Sequence, residues 1–183
     1  VLGDGGPGYF ALAPAARRAA LEAPRTAVQA ALTSPFDAGA LPVRLAGFVL
    51  GRGTRGGSVV RLVAEVDAAQ VGASGTLDTT FQLVAQAQGG AQQAPRSRPA
   101  GAPCGWEQQF EVGPGAYQAR LVVRERDGDK RIGSVRHALT VQPPNAFRMT
   151  TPILTDVLVP PDQAPLARAE RRFAMGATLH CLV

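Results

Sequence analysis

The sequence predicts an all-β domain of antiparallel sheets packed face to face, with a short helical arm at its N-terminus. Three observations predict it. Apolar residues recur with period two from Leu41 to Val141, as in "SVVRLVAEVD" (58–67), where Val60, Leu62, Ala64 and Val66 share one side and Arg61, Val63, Glu65 and Asp67 the other. Turn signals separate these stretches at short intervals, drawn from 21 Gly and 15 Pro residues. No helical stretches are interleaved with them, which argues against a parallel α/β sheet.

The chain of 183 residues suffices for one well-buried domain, or for a compact domain with an arm and part of a neighbour. With 45% hydrophobic and 18% charged residues it can build a core and is not disordered by composition.

Residues 1–40 read as an N-terminal junction and helical arm. After a Gly-rich start, "PAARRAALEAPRTAVQAALTSP" (14–35) has the only strongly helical composition, with Ala19, Leu21, Val28, Ala31 and Leu32 as its apolar positions. Pro24 removes a helical hydrogen bond and clashes with the preceding turn, so two short pieces are expected, the second beginning near Thr26. Such an arm packs on the outside of the domain.

Residues 41–141 read as the β domain. "PVRLAGFVL" (42–50) and 58–67 form a hairpin through the glycines of "GRGTRGG", and "TLDTTFQLVAQAQ" (76–88) is a third strand, with Leu77, Thr79, Phe81, Leu83 and Ala85 alternating with polar neighbours. The stretch 89–105 has no period and is rich in Gly, Pro and Gln, which predicts a long exposed loop. Its Arg96 and Arg98, with Trp106 at its end, are candidate interaction residues, although the alternation of "WEQQFEV" (106–112) turns Trp106, Phe110 and Val112 inward. "AYQARLVVRE" (116–125) puts Tyr117, Ala119, Leu121 and Val123 on one face. Asp127-Gly128 then turns the chain into "RIGSVRHALTV" (131–141), where Val135, His137, Leu139 and Val141 fall in register.

Residues 142–183 read as a linker followed by strands over 152–161 and 171–183, which either complete this domain or begin a following β region. "GATLHCLV" ends without a turn or cap, so the natural polypeptide is expected to continue.

"GPGAYQARLVV" (113–123) resembles the start of the sixth strand of immunoglobulin-like and fibronectin-like sandwiches, in which a Tyr after a Gly-containing turn returns its hydroxyl to the backbone. The Cys expected two residues later is Ala119. The resemblance makes the expected fold an antiparallel immunoglobulin/fibronectin-like β-sandwich.

Chemistry is sparse. The formal net charge is +5, but the cations, all Arg except Lys130, are scattered singly, and aromatics are only 5% of residues, so nucleic acid is not an expected partner. Arg17-Arg18 and Arg171-Arg172 are too short for a basic tract. No apolar run is long enough to span a membrane, and the opening "VLGDGGPGYF" lacks the layout of a signal peptide. Cys104 and Cys181 lack metal-site or dithiol spacing; they are candidates for a disulfide in an oxidising compartment, the alternative being two half-buried thiols. Ser34, Ser58, Ser74, Ser97 and Ser134 sit in no nucleophile elbow, and His137 and His180 have no acid or nucleophile nearby in sequence. His137, on the inward face, reads as a core or edge histidine. Asp127 and Asp129 are explained by turn chemistry beside Arg126, Lys130 and Arg131, and Glu107 and Glu111 share a solvent side of their strand. "GDGGPG" and "GRGTRGG" open no helix and bind no phosphate by pattern. No catalytic, cofactor-binding or metal-binding residue is therefore assigned.

Several phrases together resemble the C-terminal half of bacterial von Willebrand factor A-related proteins of the acidobacterial type. They are "GYFALAP" (8–14), "ALTSPFDAGALPVRLAGFVL" (31–50), "PGAYQARLVVRERDGDKRIGSVRHALTV" (114–141), "LTDVLV" (154–159) and "RRFAMGATLHC" (171–181). In that family a von Willebrand A domain is followed by a Gly-Tyr-Tyr/Phe-Ala-Pro junction, a short helix and β-sandwich regions without assigned activity. Two departures matter. The D-x-S-x-S run of the metal-dependent adhesion site is absent here, so metal-mediated ligand binding does not carry over, and the junction is preceded by "GGP" and has Leu12-Ala13 inserted before Pro14. The resemblance implies an exported, secreted or periplasmic, non-enzymatic accessory domain with a structural role or a protein partner, met through exposed strand edges and the 89–105 loop. A carbohydrate- or surface-binding module is the alternative; it is the weaker one, because Trp106, Tyr9 and Tyr117 are the only Trp and Tyr residues from which to build an aromatic platform.

Overall fold

The computed structural model describes residues 26–67, 71, 76–87, 91–99, 105–126, 131–143, 150–156, 167–169 and 172–182. The Gly-Tyr junction, the first helical piece, Cys104 and the Asp127-Gly128 turn lie outside them.

The chain enters through helix α1 (Ala27–Thr33). Thr26 caps it: its backbone is extended, and its side-chain oxygen accepts the Gln29 N–H at 3.2 Å, satisfying one of the orphan donors of the first turn. Helix formation stops at Ser34, whose ψ of 139° suits a residue that precedes a proline, here Pro35. The helix start expected near Thr26 is thus where the structure has it.

Seven strands follow: β1 (Val43–Arg52), β2 (Ser58–Val66), β3 (Thr76–Ala85), β4 (Ala91–Pro99), β5 (Gly105–Val112), β6 (Gly115–Glu125) and β7 (Ile132–Val141). All pair antiparallel, in a three-stranded sheet of order β1-β2-β5 and a four-stranded sheet of order β4-β3-β6-β7. β1–β2, β3–β4 and β6–β7 are hairpins, whereas the connections β2–β3, β4–β5 and β5–β6 change sheet. The Gly-Pro-Gly turn at 113–115 is one of these crossings and closes no hairpin.

One hydrophobic cluster draws on both sheets. Val60, Leu62, Ala64, Val66, Trp106, Phe110 and Val112 come from the first, and Leu77, Phe81, Leu83, Ala119, Leu121, Val123 and Val141 from the second. β3 supplies its share by strict alternation, Leu77, Thr79, Phe81 and Leu83 being buried and each intervening residue half-exposed. Where the chain passes from the helix to β1, Ser134 N–H donates to Ala38 O at 2.8 Å and Ser134 Oγ accepts from Ala38 N–H at 2.7 Å, so residues 38–39 extend the second sheet before the chain crosses to the first. Gly133 is required at this crossing, since a Cβ there would overlap the Leu41 carbonyl oxygen.

The structure departs from the sequence expectations in four places. The loop expected over 89–105 contains strand β4, paired along its length with β3 from Thr76↔Pro99 to Val84↔Ala91. It is an edge strand with one partner, the position in which Pro95 and Pro99 are tolerated despite lacking N–H donors, and its composition hid it. Arg96 and Arg98 therefore stand on a strand, opposite Thr79 and Leu77 in register. β2 is buried on both faces rather than one: Val63 is 2% exposed and Arg61 8%. The strand expected over 152–161 is described as β8 (Ile153–Thr155) alone, residues 157–161 lying outside the described set. The strand expected over 171–183 is confined to β9 (His180–Leu182), because the chain turns at Met175-Gly176, where Gly176 takes φ +84°. β8 and β9 pair with each other, Ile153↔Leu182 to Thr155↔His180.

Both sheets carry cover on their outer faces. α1 lies against β6 and β7, with Leu32 1% exposed and Val122, on the outward side of β6, also 1% exposed. On the first sheet Ala46, Phe48 and Val63 form a second buried cluster with Ile153 and Ala167. Thr151 fastens this segment to β1: its N–H donates to Val49 O at 2.8 Å and its Oγ1 accepts Val49 N–H at 3.0 Å.

Candidate functional site

The scattered arginines suggested a solvated charge pattern, and the structure joins many of them to carboxylates from other parts of the chain. Arg126 Nη2 meets Asp78 Oδ1 at 2.6 Å, with Arg124 on the same carboxylate at 3.4 Å. Arg136 meets Asp37 at 2.9 Å, Arg61 approaches Glu107 at 3.9 Å, and Arg168 lies between Asp156 at 3.3 Å and Glu65 at 4.0 Å. Arg120 donates to the Leu32 carbonyl and to Gln118 Oε1, tying the C-terminal turn of α1 to β6. These side chains clamp elements together.

Two carboxylates act on hairpins. Glu111, on β5, accepts the Arg55 N–H at 2.6 Å and the Gly57 N–H at 3.1 Å from the β1–β2 turn, with Arg55 Nε at 3.5 Å. Removal from water pushes its carboxyl up, but the two backbone donors and the Arg55 guanidinium outweigh that and hold it below the ordinary carboxylate value. A Cβ at Gly53 would overlap this carboxyl, so the turn's glycine makes room for it. Glu125, 8% exposed at the end of β6, takes Arg131 Nη2 at 2.6 Å and Nε at 3.0 Å. The hydrogen bonds from the Arg131 side chain hold its carboxyl down against the upward push of burial. Neither carboxyl has the raised value that a general acid needs at neutral pH.

The remaining candidates stand apart from one another. Trp106 is 7% exposed and belongs to the shared core, so it offers no surface for a partner or a sugar; this corrects its place among the interaction residues and follows from its position opposite Ala64 in the register of β2 and β5. Tyr117 is half-buried and donates its hydroxyl to Gly113 O at 2.9 Å, the return to the backbone that the sequence suggested. The His137 ring, half-buried on β7, lies over Gly47, where a Cβ would come within 3.1 Å of its Cδ2. Cys181 is a free, exposed thiol on β9. His180 lies opposite Thr155 in the register of β8 and β9. Among the described residues no group of three or more His, Cys, Asp or Glu side chains is placed to hold a metal ion, and no helix is long and apolar enough to cross a membrane.

Sequence reasoning missed the second cluster. Its signal was present in "PVRLAGFVL", which is apolar on both parities: Val43, Leu45 and Val49 on one, Ala46, Phe48 and Leu50 on the other. A strand apolar on both sides needs cover on both. No family model matches the chain, and no curated protein or solved structure matches it either.

Proposed function

We propose that the chain is a non-enzymatic accessory domain that holds flanking polypeptide in fixed positions and meets a protein partner. The observation that carries this reading is the cover on the two sheets: the N-terminal helix is clamped to β6 by Arg120, and the segment after β7 is clamped to β1 by Thr151. A domain gripping the chain on both sides of itself transmits the placement of one neighbour to the other.

The fold type proposed is the immunoglobulin/fibronectin-like sandwich. Lettered A to G in chain order, β1 to β7 give ABE in one sheet and DCFG in the other. That is the constant-type immunoglobulin arrangement with its fourth strand moved to the opposite sheet. The Tyr117 hydroxyl on Gly113 O adds the corner that belongs to the sixth strand of such domains. With the phrases quoted above, this supports placing the chain after a von Willebrand A domain in an exported bacterial protein.

The test is to produce the chain joined to the stretch encoded directly upstream and compare its thermal unfolding with that of each part alone. The reading expects a D-x-S-x-S-bearing domain and an export leader upstream, and a higher melting temperature for the joined protein. Independent melting of the parts, or an upstream stretch without that domain, overturns it. Selective binding on a glycan array would favour the carbohydrate-binding alternative, which the burial of Trp106 deprives of its one tryptophan.

A further inference from the structure

We infer that residues 150–156 form a strap over the outer face of β1 and β2 that opens as a unit of its own while the two-sheet core stays folded. The inference concerns the motion of this segment and stands whether or not the proposed role does. Opening would withdraw Ile153 from the cluster it forms with Ala46, Phe48, Val63 and Ala167 and expose apolar surface on that sheet face.

The reasoning starts from what holds each part. The core cluster gathers side chains from both sheets, with Phe81, Leu62, Leu77 and Leu121 each fully buried, and every internal strand is hydrogen-bonded on two sides. The strap is held by less. Ile153 is its one buried large apolar side chain; Thr155, 1% exposed, adds little apolar surface; and Leu154 between them is 38% exposed. Its backbone joins β1 through Thr151 alone among the described residues, by the pair of hydrogen bonds with Val49. Among the described residues β8 pairs with β9 alone, and a two-stranded ribbon three residues long is marginal in water by itself. The ion pairs of Arg168 with Asp156 and Glu65 involve side chains 40%, 23% and 22% exposed, where solvent weakens them.

The attachment point on β1 fits the same picture. β1 is an edge strand whose pairing with β2 shifts register between Val49 and Arg52, so the strap grips the chain where the ladder is already irregular. Segments with few buried apolar contacts and solvent-accessible hydrogen bonds open at lower free energy than the whole domain. The strap has the first feature, with Ile153 its one buried large apolar side chain, and its bond to Val49 is only partly buried, whereas the core strands lie among many buried apolar side chains.

Native-state hydrogen exchange on the full chain tests this. The Thr151 and Val49 amides report the strap, because each donates across the strap–β1 contact; the amides of Phe81 and Leu121, at the centre of the second sheet, report the core. The expected result is exchange at Thr151 and Val49 on the order of 100-fold less protected than at Phe81 and Leu121, with little dependence on dilute denaturant. Ile153→Ala should lower the protection of Thr151 and Val49 by a further factor of about 10 or more and leave Phe81 and Leu121 unchanged. Equal protection and equal denaturant dependence at all four amides would overturn the inference. So would an Ile153→Ala chain that exposes all four together or fails to fold, since the strap would then be part of the core's own cooperative unit.

Discussion

β2 and β3 are the inner partners of β1 and β6, one in each sheet, and they solve burial differently. β3, "TLDTTFQLVA", sends Leu77, Thr79, Phe81 and Leu83 into the shared core and leaves Asp78, Thr80 and Gln82 half-exposed on the other side. β2, "SVVRLVAEV", is buried along both faces, with Val63 in the outer cluster beside Phe48 and Ile153. The difference lies in what covers the outer face. Behind β2 lies a segment from far along the chain, whereas α1 lies against β6, which borders β3, and against β7 beyond it. A strand's alternation therefore reports the cover of its own outward side as well as the position of the core.

The sharpest way to break this comparison is to truncate one aromatic from each cluster. Phe81 is fully buried in the cluster that draws on both sheets, and Phe48 is 2% exposed in the outer cluster with Ile153. Phe81→Ala should lower stability by about 3–5 kcal/mol, the usual range for emptying a well-packed site. Phe48→Ala should cost less, about 2–3 kcal/mol, because a cover held at few points can settle into the space. Chemical denaturation of both variants measures the difference. Equal losses would mean that the outer cluster is as rigid as the inner one.

A charge placed on each outward face gives a smaller effect with a larger contrast. Val63→Asp puts a carboxylate beneath Ile153 and Phe48, and should cost about 2–4 kcal/mol or displace the cover altogether. Thr80→Asp, half-exposed on β3, should stay within about 0.5 kcal/mol of the parent. Melting temperatures of the two variants decide the matter. A harmless Val63→Asp would show that the cover contributes nothing to folding.

The sequence made some of this legible and concealed the rest for identifiable reasons. The alternation of β3, β5 and β6, the helix start at Thr26 and the Tyr117 contact are local properties, each decided within a few residues, and each could be read. β4 was hidden because an edge strand has one hydrogen-bonded neighbour and can carry Pro95, Gln92 and Gln93 without a periodic apolar face. Sheet membership was hidden because period two is the same in either sheet; nothing in "FEVGPGAYQ" marks the Gly-Pro-Gly turn as a crossing. The outer cluster needed Val63 to meet Ile153, ninety residues away by number. The clamps of Arg120, Arg126 and Arg136 are long-range in the same sense, which is why isolated arginines looked like unpartnered surface charge.

The smallest effect separates the two sheets through their hairpin carboxylates. Glu111 on the first sheet and Glu125 on the second both have a folded-state value below the ordinary 4.5. A carboxyl lowered in this way adds stability that is present in full above the unfolded value and fades as pH falls through the folded one. Both sheets should therefore lose stability in acid, below about pH 4.5. Glu125→Gln should melt below the parent at pH 7, with the gap closing as the pH drops, because protonation of the parent removes the same interaction. Glu111→Gln should show the same trend with a smaller gap, since its cationic partner Arg55 has a side chain 76% exposed while Arg131, the partner of Glu125, is 33% exposed. Melting curves between pH 3 and pH 7 at two salt concentrations measure both gaps, and added salt should shrink the Glu111 gap more. A gap that stays constant across the pH range would mean that shape, and not charge, holds that hairpin.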